Sequence, residues 1–184
     1  NPALWQRAKD TMEFCYGKEL EFYRLCRDRI RATGYTGELI SSNWKWESNV
    51  PHYYNLAADR DAGVIDRHRY LGNASLLRVP GGMHLADTSI MQCADRPFMF
   101  SEWSQGWASP CTIESRLIYA AYGFGLQGWD ASTQFPGGDF IENGLPPINS
   151  VMQYNNQVFN PVVTALYPFI LRQIYRGDVA EGTI

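Results

Sequence analysis

A chain of 184 residues is long enough for one domain or for part of a larger one, and its 45% apolar content excludes a disordered polypeptide. Sixteen basic against nineteen acidic residues leave a net charge of −3, which excludes the basic footprint of a nucleic-acid binder. No charge block marks a membrane surface, and no apolar run approaches the ~18 residues of a membrane span.

Asp10-Thr11-Met12-Glu13 has the residues of a helix start, an Asp cap with Glu three positions on. Met12, Tyr16, Leu20, Tyr23, Cys26 and Ile30 then fall on one helical face, and Thr33-Gly34 ends it. A short strand is predicted over Glu38–Trp44, a second helix over Pro51–Asp61 and a second strand over Gly63–Tyr70. A long loop rich in Gly and Pro comes next, from Leu71 to Arg96. Pro97–Trp103 is the third strand, Thr112–Tyr122 the third helix and Gly123–Asp130 the fourth strand. Phe135–Ser150 opens a second long loop, and Val158–Tyr175 is the last helix, with Pro168 expected to kink it.

Strand starts about 25, 34 and 26 residues apart, separated by helices, imply right-handed βαβ units and a parallel sheet. Each predicted strand delivers a polar side chain near its carboxyl end: Asn43, His68, Glu102 and Asp130. That is the pattern of a (β/α)₈ barrel, whose chemistry sits at the carboxyl ends of its strands. A doubly wound sheet is the alternative, but no Gly-rich phosphate loop succeeds any strand. A whole barrel takes about 250 residues. The expectation is therefore an α/β chain forming one domain over residues 1–184, strands five to eight of a barrel. A half-barrel exposes two sheet edges. It calls for the remaining half of a longer parent chain or for a self-associated copy. The opening residue, Asn1 rather than Met, agrees with a piece of a longer protein.

Six Trp, eleven Tyr and nine Phe favour stacking on sugar in the absence of a basic groove, with core packing the competing use. Cys15, Cys26, Cys93 and Cys111 have no zinc spacing. The first two are about 16 Å apart along one helix and cannot bridge; a Cys93–Cys111 bridge is open. His52, His68 and His84 are the only histidines, and His68 alone ends a strand, so no metal and no cofactor are expected.

The sharpest signal is Phe98-Met99-Phe100-Ser101-Glu102-Trp103-Ser104, an apolar strand carrying a carboxylate to its mouth beside an indole. A carboxylate near an apolar wall is costly unless used or paired. It is either a nucleophile on an anomeric carbon or a salt-bridged strand end.

With this motif the chain resembles the (β/α)₈ retaining glycoside hydrolases of the cellulase, β-galactosidase and agarase-like superfamily. The resemblance runs from Leu39 to the final helix. It implies hydrolysis of O-glycosidic bonds in an oligo- or polysaccharide, with Glu102 as nucleophile at the end of strand seven. It places His68 and Tyr70 at the end of strand six, the Tyr70 hydroxyl holding the carboxylate as its anion and aiming it. It makes Trp129, ending strand eight, the floor of a sugar subsite. Asn43 and Trp44 close strand five and could line a subsite; Trp46, Trp103 and Trp107 are candidate sugar platforms. Asp130 either binds a hydroxyl or caps the segment after it.

The chain departs from the superfamily in one respect. The acid/base residue of these enzymes ends strand four as Asn-Glu, and no such dipeptide exists here. Glu47, Asp66 and Asp130 are the other acids near strand ends, and the resemblance makes none of them the proton donor. The acid/base is thus expected before residue 1. The competing reading is a non-catalytic carbohydrate-binding protein that keeps an aromatic cleft and lacks the acid. The carbohydrate substrate favours a secreted or periplasmic location, while four Cys without a pairing pattern fit the cytoplasm. The sequon Asn73-Ala74-Ser75 and the tripeptide Arg176-Gly177-Asp178 are short enough to arise by chance and are given no function.

Overall fold

The structure, a computed structural model, describes residues 1–42, 52–70, 75–77, 88–104, 112–134 and 161–183. The elements are α1 (Pro2–Ala32), β1 (Ile40–Ser42), α2 (His52–Ala62), β2 (Val64–Tyr70) and β3 (Phe98–Ser104). Then come α3 (Thr112–Ile118), continuing into a π-helix (Tyr119–Leu126), β4 (Ala131–Gln134) and α4 (Pro161–Arg176). The strands form a four-stranded parallel sheet in the order β1-β2-β3-β4, so the fold is α/β. Between β1 and β2 the register pairs Ile40 with Val64 and Ser42 with Asp66. Two compact units make up the chain: residues 1–68 with 91–99, and residues 69–90 with 100–184.

In the first unit, α1 begins nine residues before the predicted Asp10 cap. Asn1 is itself the cap, its side chain accepting from Ala3 N–H at 3.0 Å, and Pro2 fills the first helical position. The helix meets α2 through the Tyr16 and Tyr54 rings, 5.8 Å apart, and through Asp61, which accepts from Arg24 and Arg27 at 3.1–3.3 Å. Gly63 turns the chain from α2 into β2 at φ +146°; a Cβ there would lie 2.5 Å from the Leu39 carbonyl oxygen. That carbonyl accepts from Val64 N–H at 3.0 Å, which sets the start of the β1–β2 ladder.

A polar cluster is buried in this unit, alongside the buried apolar side chains of Ala58, Ile65 and Phe98. Arg67 donates to Asp59 at 2.5 Å, with side chains 2% and 0% exposed. The Ser41 hydroxyl donates to the same carboxylate at 2.8 Å. Burial pushes the Asp59 carboxyl above its ordinary range, against the pull of Arg67, Ser41 and Tyr23. Burial, then the Asp59 and Glu19 carboxylates, push the Tyr23 phenol up. Since Arg67 points toward α2, the two-residue strand period puts Asp66, His68 and Tyr70 on the other face of β2.

The second unit has an aromatic core. Tyr119 lies against Phe100 (5.9 Å), Trp103 (4.5 Å) and Trp129 (5.2 Å), and Trp129 also against Phe100 (4.9 Å). All four are buried, each contributing roughly 1.5–3 kcal/mol of apolar transfer. The π-helix makes this packing possible. Gly123 faces the Trp129 indole so closely that a Cβ would stand 2.3 Å from Cε3, and Trp129 N–H donates to the Gly123 carbonyl at 3.0 Å. Gly125 in turn admits Val179 of the C-terminal tail.

The predicted fourth strand is therefore corrected. Gly123–Leu126 are helical, and β4 is the shorter segment Ala131–Gln134. Alternating Gly and apolar residues imitate a strand, but these glycines serve close helix packing. Helix α4 passes through Pro168 without ending.

Candidate active site

Tyr70 is the last residue of β2, and Glu102 lies two residues before the end of β3. The Tyr70 hydroxyl donates to Oε1 of Glu102, and both side chains are half-buried. Burial, then the hydrogen bond and charge of Glu102, push the Tyr70 phenol above its ordinary value. A phenol that keeps its proton is a permanent donor to the carboxylate, and a charge-assisted bond of this kind is among the stronger ones. The arrangement presents an oriented carboxylate at the carboxyl end of a parallel strand.

Residues 75–77 are tied to α3. Both Glu114 carboxylate oxygens accept from the Ser75 hydroxyl at 2.9 Å, and Oε1 accepts from Leu77 N–H at 2.9 Å. Leu76, between them, is 2% exposed. On the other side of Glu102, Trp103 Nε1–H donates to the Ser132 hydroxyl of β4 at 2.9 Å. The Arg116 guanidinium lies 5.7 Å from the Trp103 ring centre. Burial lowers the Arg116 pKa, and Tyr167 opposes that shift.

Of the residues singled out from sequence, the structure brings Tyr70 and Glu102 together. His68 belongs to the first unit, where its Nε2 lies 4.0 Å from Oδ2 of buried Asp66. Trp103 and Trp129 are 5% and 3% exposed, so both rings fill the core and neither offers a face to a sugar. Trp129 and Asp130 also precede β4 and so lie at its amino end, because the strand starts at Ala131. A mouth at the carboxyl ends of the strands would take Gln134 from β4 instead, whose side chain accepts from the Tyr167 hydroxyl. Asn43, Trp44, Trp46, Glu47 and Trp107 lie outside the described residues, as do positions 71–74, 78–87 and 135–160.

Sequence reasoning missed Ser132, Glu114 and the Asp59–Arg67 pair. Nothing around Ser132 or Glu114 marks either residue. Arg67 did carry a signal, since a charge inside a strand of a buried sheet requires a partner. Among the described residues Cys15, Cys26 and Cys93 are free thiols, and Cys111 lies outside them. Among the described residues no group of three His, Cys, Asp or Glu side chains could hold a metal ion, and no helix is long and apolar enough to cross a membrane. A cavity of about 220 Å³ in the first unit, between α1 and β1, contains none of the candidate residues.

No protein-family model, curated protein or solved structure matches this chain.

Proposed function

We propose that the chain carries the nucleophile half of a retaining glycoside hydrolase, as strands five to eight of a (β/α)₈ barrel. The observation that supports this reading is the Tyr70–Glu102 pair at the carboxyl ends of β2 and β3. In the first step a Glu102 oxygen attacks the anomeric carbon. The glycosidic bond breaks, and its oxygen takes a proton from an acid outside this chain. In the second step water attacks the glycosyl ester, losing its proton to the conjugate base of that acid, and Glu102 is released as carboxylate. Tyr70 holds the carboxylate oriented at both stages. The acid must stand about 5 Å from Glu102, the spacing of retaining enzymes. No step is assigned to His68. The competing reading, a binding cleft floored by indoles, is weakened by the burial of Trp103 and Trp129.

The test is the intact mass after incubation with 2,4-dinitrophenyl 2-deoxy-2-fluoro glycosides of several sugars. Their leaving group departs without a proton, so the missing acid is not required. One added sugar on the peptide containing Glu102, absent from Glu102→Gln, is the expected result. A folded chain that takes no label from any sugar refutes the proposal.

A further inference from the structure

Two rings of β3 converge on one side chain of the π-helix. The Phe100 and Trp103 rings both lie against Tyr119, at 5.9 and 4.5 Å, although residues three apart in a regular strand point to opposite faces. Glu102 has a different partner. In a regular strand it would share the face of Phe100 and enter the core of Tyr119 and Trp129, where a carboxylate is poorly accommodated. Glu102 instead meets Tyr70.

Among the described residues, three groups hold Trp103, the neighbour of Glu102 in β3. Tyr119 packs edge-on to the ring, the Arg116 guanidinium lies 5.7 Å from its centre, and the Ser132 hydroxyl accepts its N–H at 2.9 Å. Only the last fixes direction. An indole has a single N–H and no acceptor, so one partner specifies how the ring is turned. That partner sits on β4, which locks the carboxyl end of β3 to its neighbour. Helix packing at Tyr119 and Arg116 would tolerate a rotated ring; the bond to Ser132 would not.

We infer that Ser132 and Trp103 are positioning residues that turn the Glu102 carboxylate toward Tyr70. The inference deepens the reading of Glu102 as a nucleophile, and its consequence for rate rests on that reading. The turning of the carboxylate rests on geometry alone.

Two readouts separate these levels. The first is the hydroxyl-proton and ¹³Cζ resonances of Tyr70 at neutral pH in ¹³C-tyrosine protein, assigned by their loss in Tyr70→Phe. Ser132→Ala and Trp103→Phe remove the acceptor and the donor in turn while keeping most of the packing. Each is expected to move the Tyr70 resonances toward those of a water-exposed phenol. Ser132→Thr, which keeps the hydroxyl, should leave them in place. The second readout is the rate of labelling by the fluoroglycosides, expected to fall about tenfold to hundredfold in both disruptive variants, as sub-ångström misplacement of a reacting group does. Thermal melts of every variant establish that it is folded, a property that a merely structural Ser132 would change without moving Tyr70. Tyr70 resonances unmoved in both folded variants overturn the inference, whatever the labelling shows. Resonances that move in a chain no glycoside labels uphold the positioning and refute the nucleophile.

Discussion

Replacing Asp59 by Ala should remove a large part of the chain's stability. The carboxylate is fully buried, accepts from Arg67 at 2.5 Å and from Ser41 at 2.8 Å, and its loss strands a guanidinium that is 2% exposed. Breaking a buried pair from one side costs about 3–5 kcal/mol. The orphaned Ser41 hydroxyl adds about 1 kcal/mol. Against a total of roughly 5–15 kcal/mol for a folded domain, that is about a quarter or more. For a chain of this size it corresponds to a fall in Tm of about 10–20 °C. Urea unfolding followed by circular dichroism at pH 7 measures it directly. The companion variant Asp59→Leu with Arg67→Met replaces both charges by apolar groups and should fall within about 1 kcal/mol of the parent. A single variant that loses less than about 1 kcal/mol would refute the reasoning, because the guanidinium would then have found water or another partner.

Three further outcomes are set by the geometry. Tyr70→Phe should fold normally yet be labelled by fluoroglycosides about tenfold to hundredfold more slowly, the equivalent of a hydrogen bond to a charged group worth about 1.5–3 kcal/mol; labelling at the parent rate would deny Tyr70 any role. Gly123→Ala should cost about 1–3 kcal/mol through its clash with Trp129, outweighing the ~0.5–1 kcal/mol a helix gains from alanine, and should alter the near-ultraviolet dichroism of the indoles. A Gly123→Ala chain as stable as the parent would contradict that packing. The hydrogen bond and charge of Arg24 hold the Asp61 carboxyl below its ordinary value, so the stability it contributes is present above about pH 4 and lost as pH falls through the lower, folded value. Asp61→Asn should thus be less stable by a few tenths of a kcal/mol at pH 7 and level with the parent near pH 2, a convergence that thermal melts across that range would reveal or exclude.

The sequence makes legible whatever local pattern determines. The apolar runs of β2 and β3, and the spacing of helices between strands, predict a parallel α/β sheet, and β2 and β3 lie within one residue of where their patterns put them. The start of α1 is harder to place, because an Asp-x-x-Glu box inside the helix imitates a beginning more strongly than the Asn1-Pro2 cap that forms one. The fourth strand is obscured for a different reason. Gly123 and Gly125 are small because Trp129 and Val179 lie against them, and a tertiary cause of that kind leaves a local pattern indistinguishable from a strand. The same limit applies around Glu102. That a carboxylate ends β3 is plain from the residues; that Trp103 turns inward onto Tyr119 and Ser132 depends on partners 16 and 29 positions away. The stacking faces that suit indoles to a sugar-binding mouth also make them core residues, and only the helix against them decides which.

The long first helix has an uneven hold on the rest of its unit. No residue of α1 is buried, and its links to α2 run through Tyr16, Tyr23, Arg24 and Arg27, all in its second half or near its middle. The first three turns, with Leu4 and Trp5 more than half exposed, are supported by the Asn1 cap and by pairs within the helix such as Gln6–Asp10 and Lys9–Glu13. Such contacts are worth tenths of a kcal/mol each, and an isolated helix of that length is marginal in water. Amide protons there exchange by local fraying, at rates independent of global unfolding. A protease can therefore shorten α1 from its amino end toward Tyr16 while the ion pair at Asp59 and the strand it anchors remain intact.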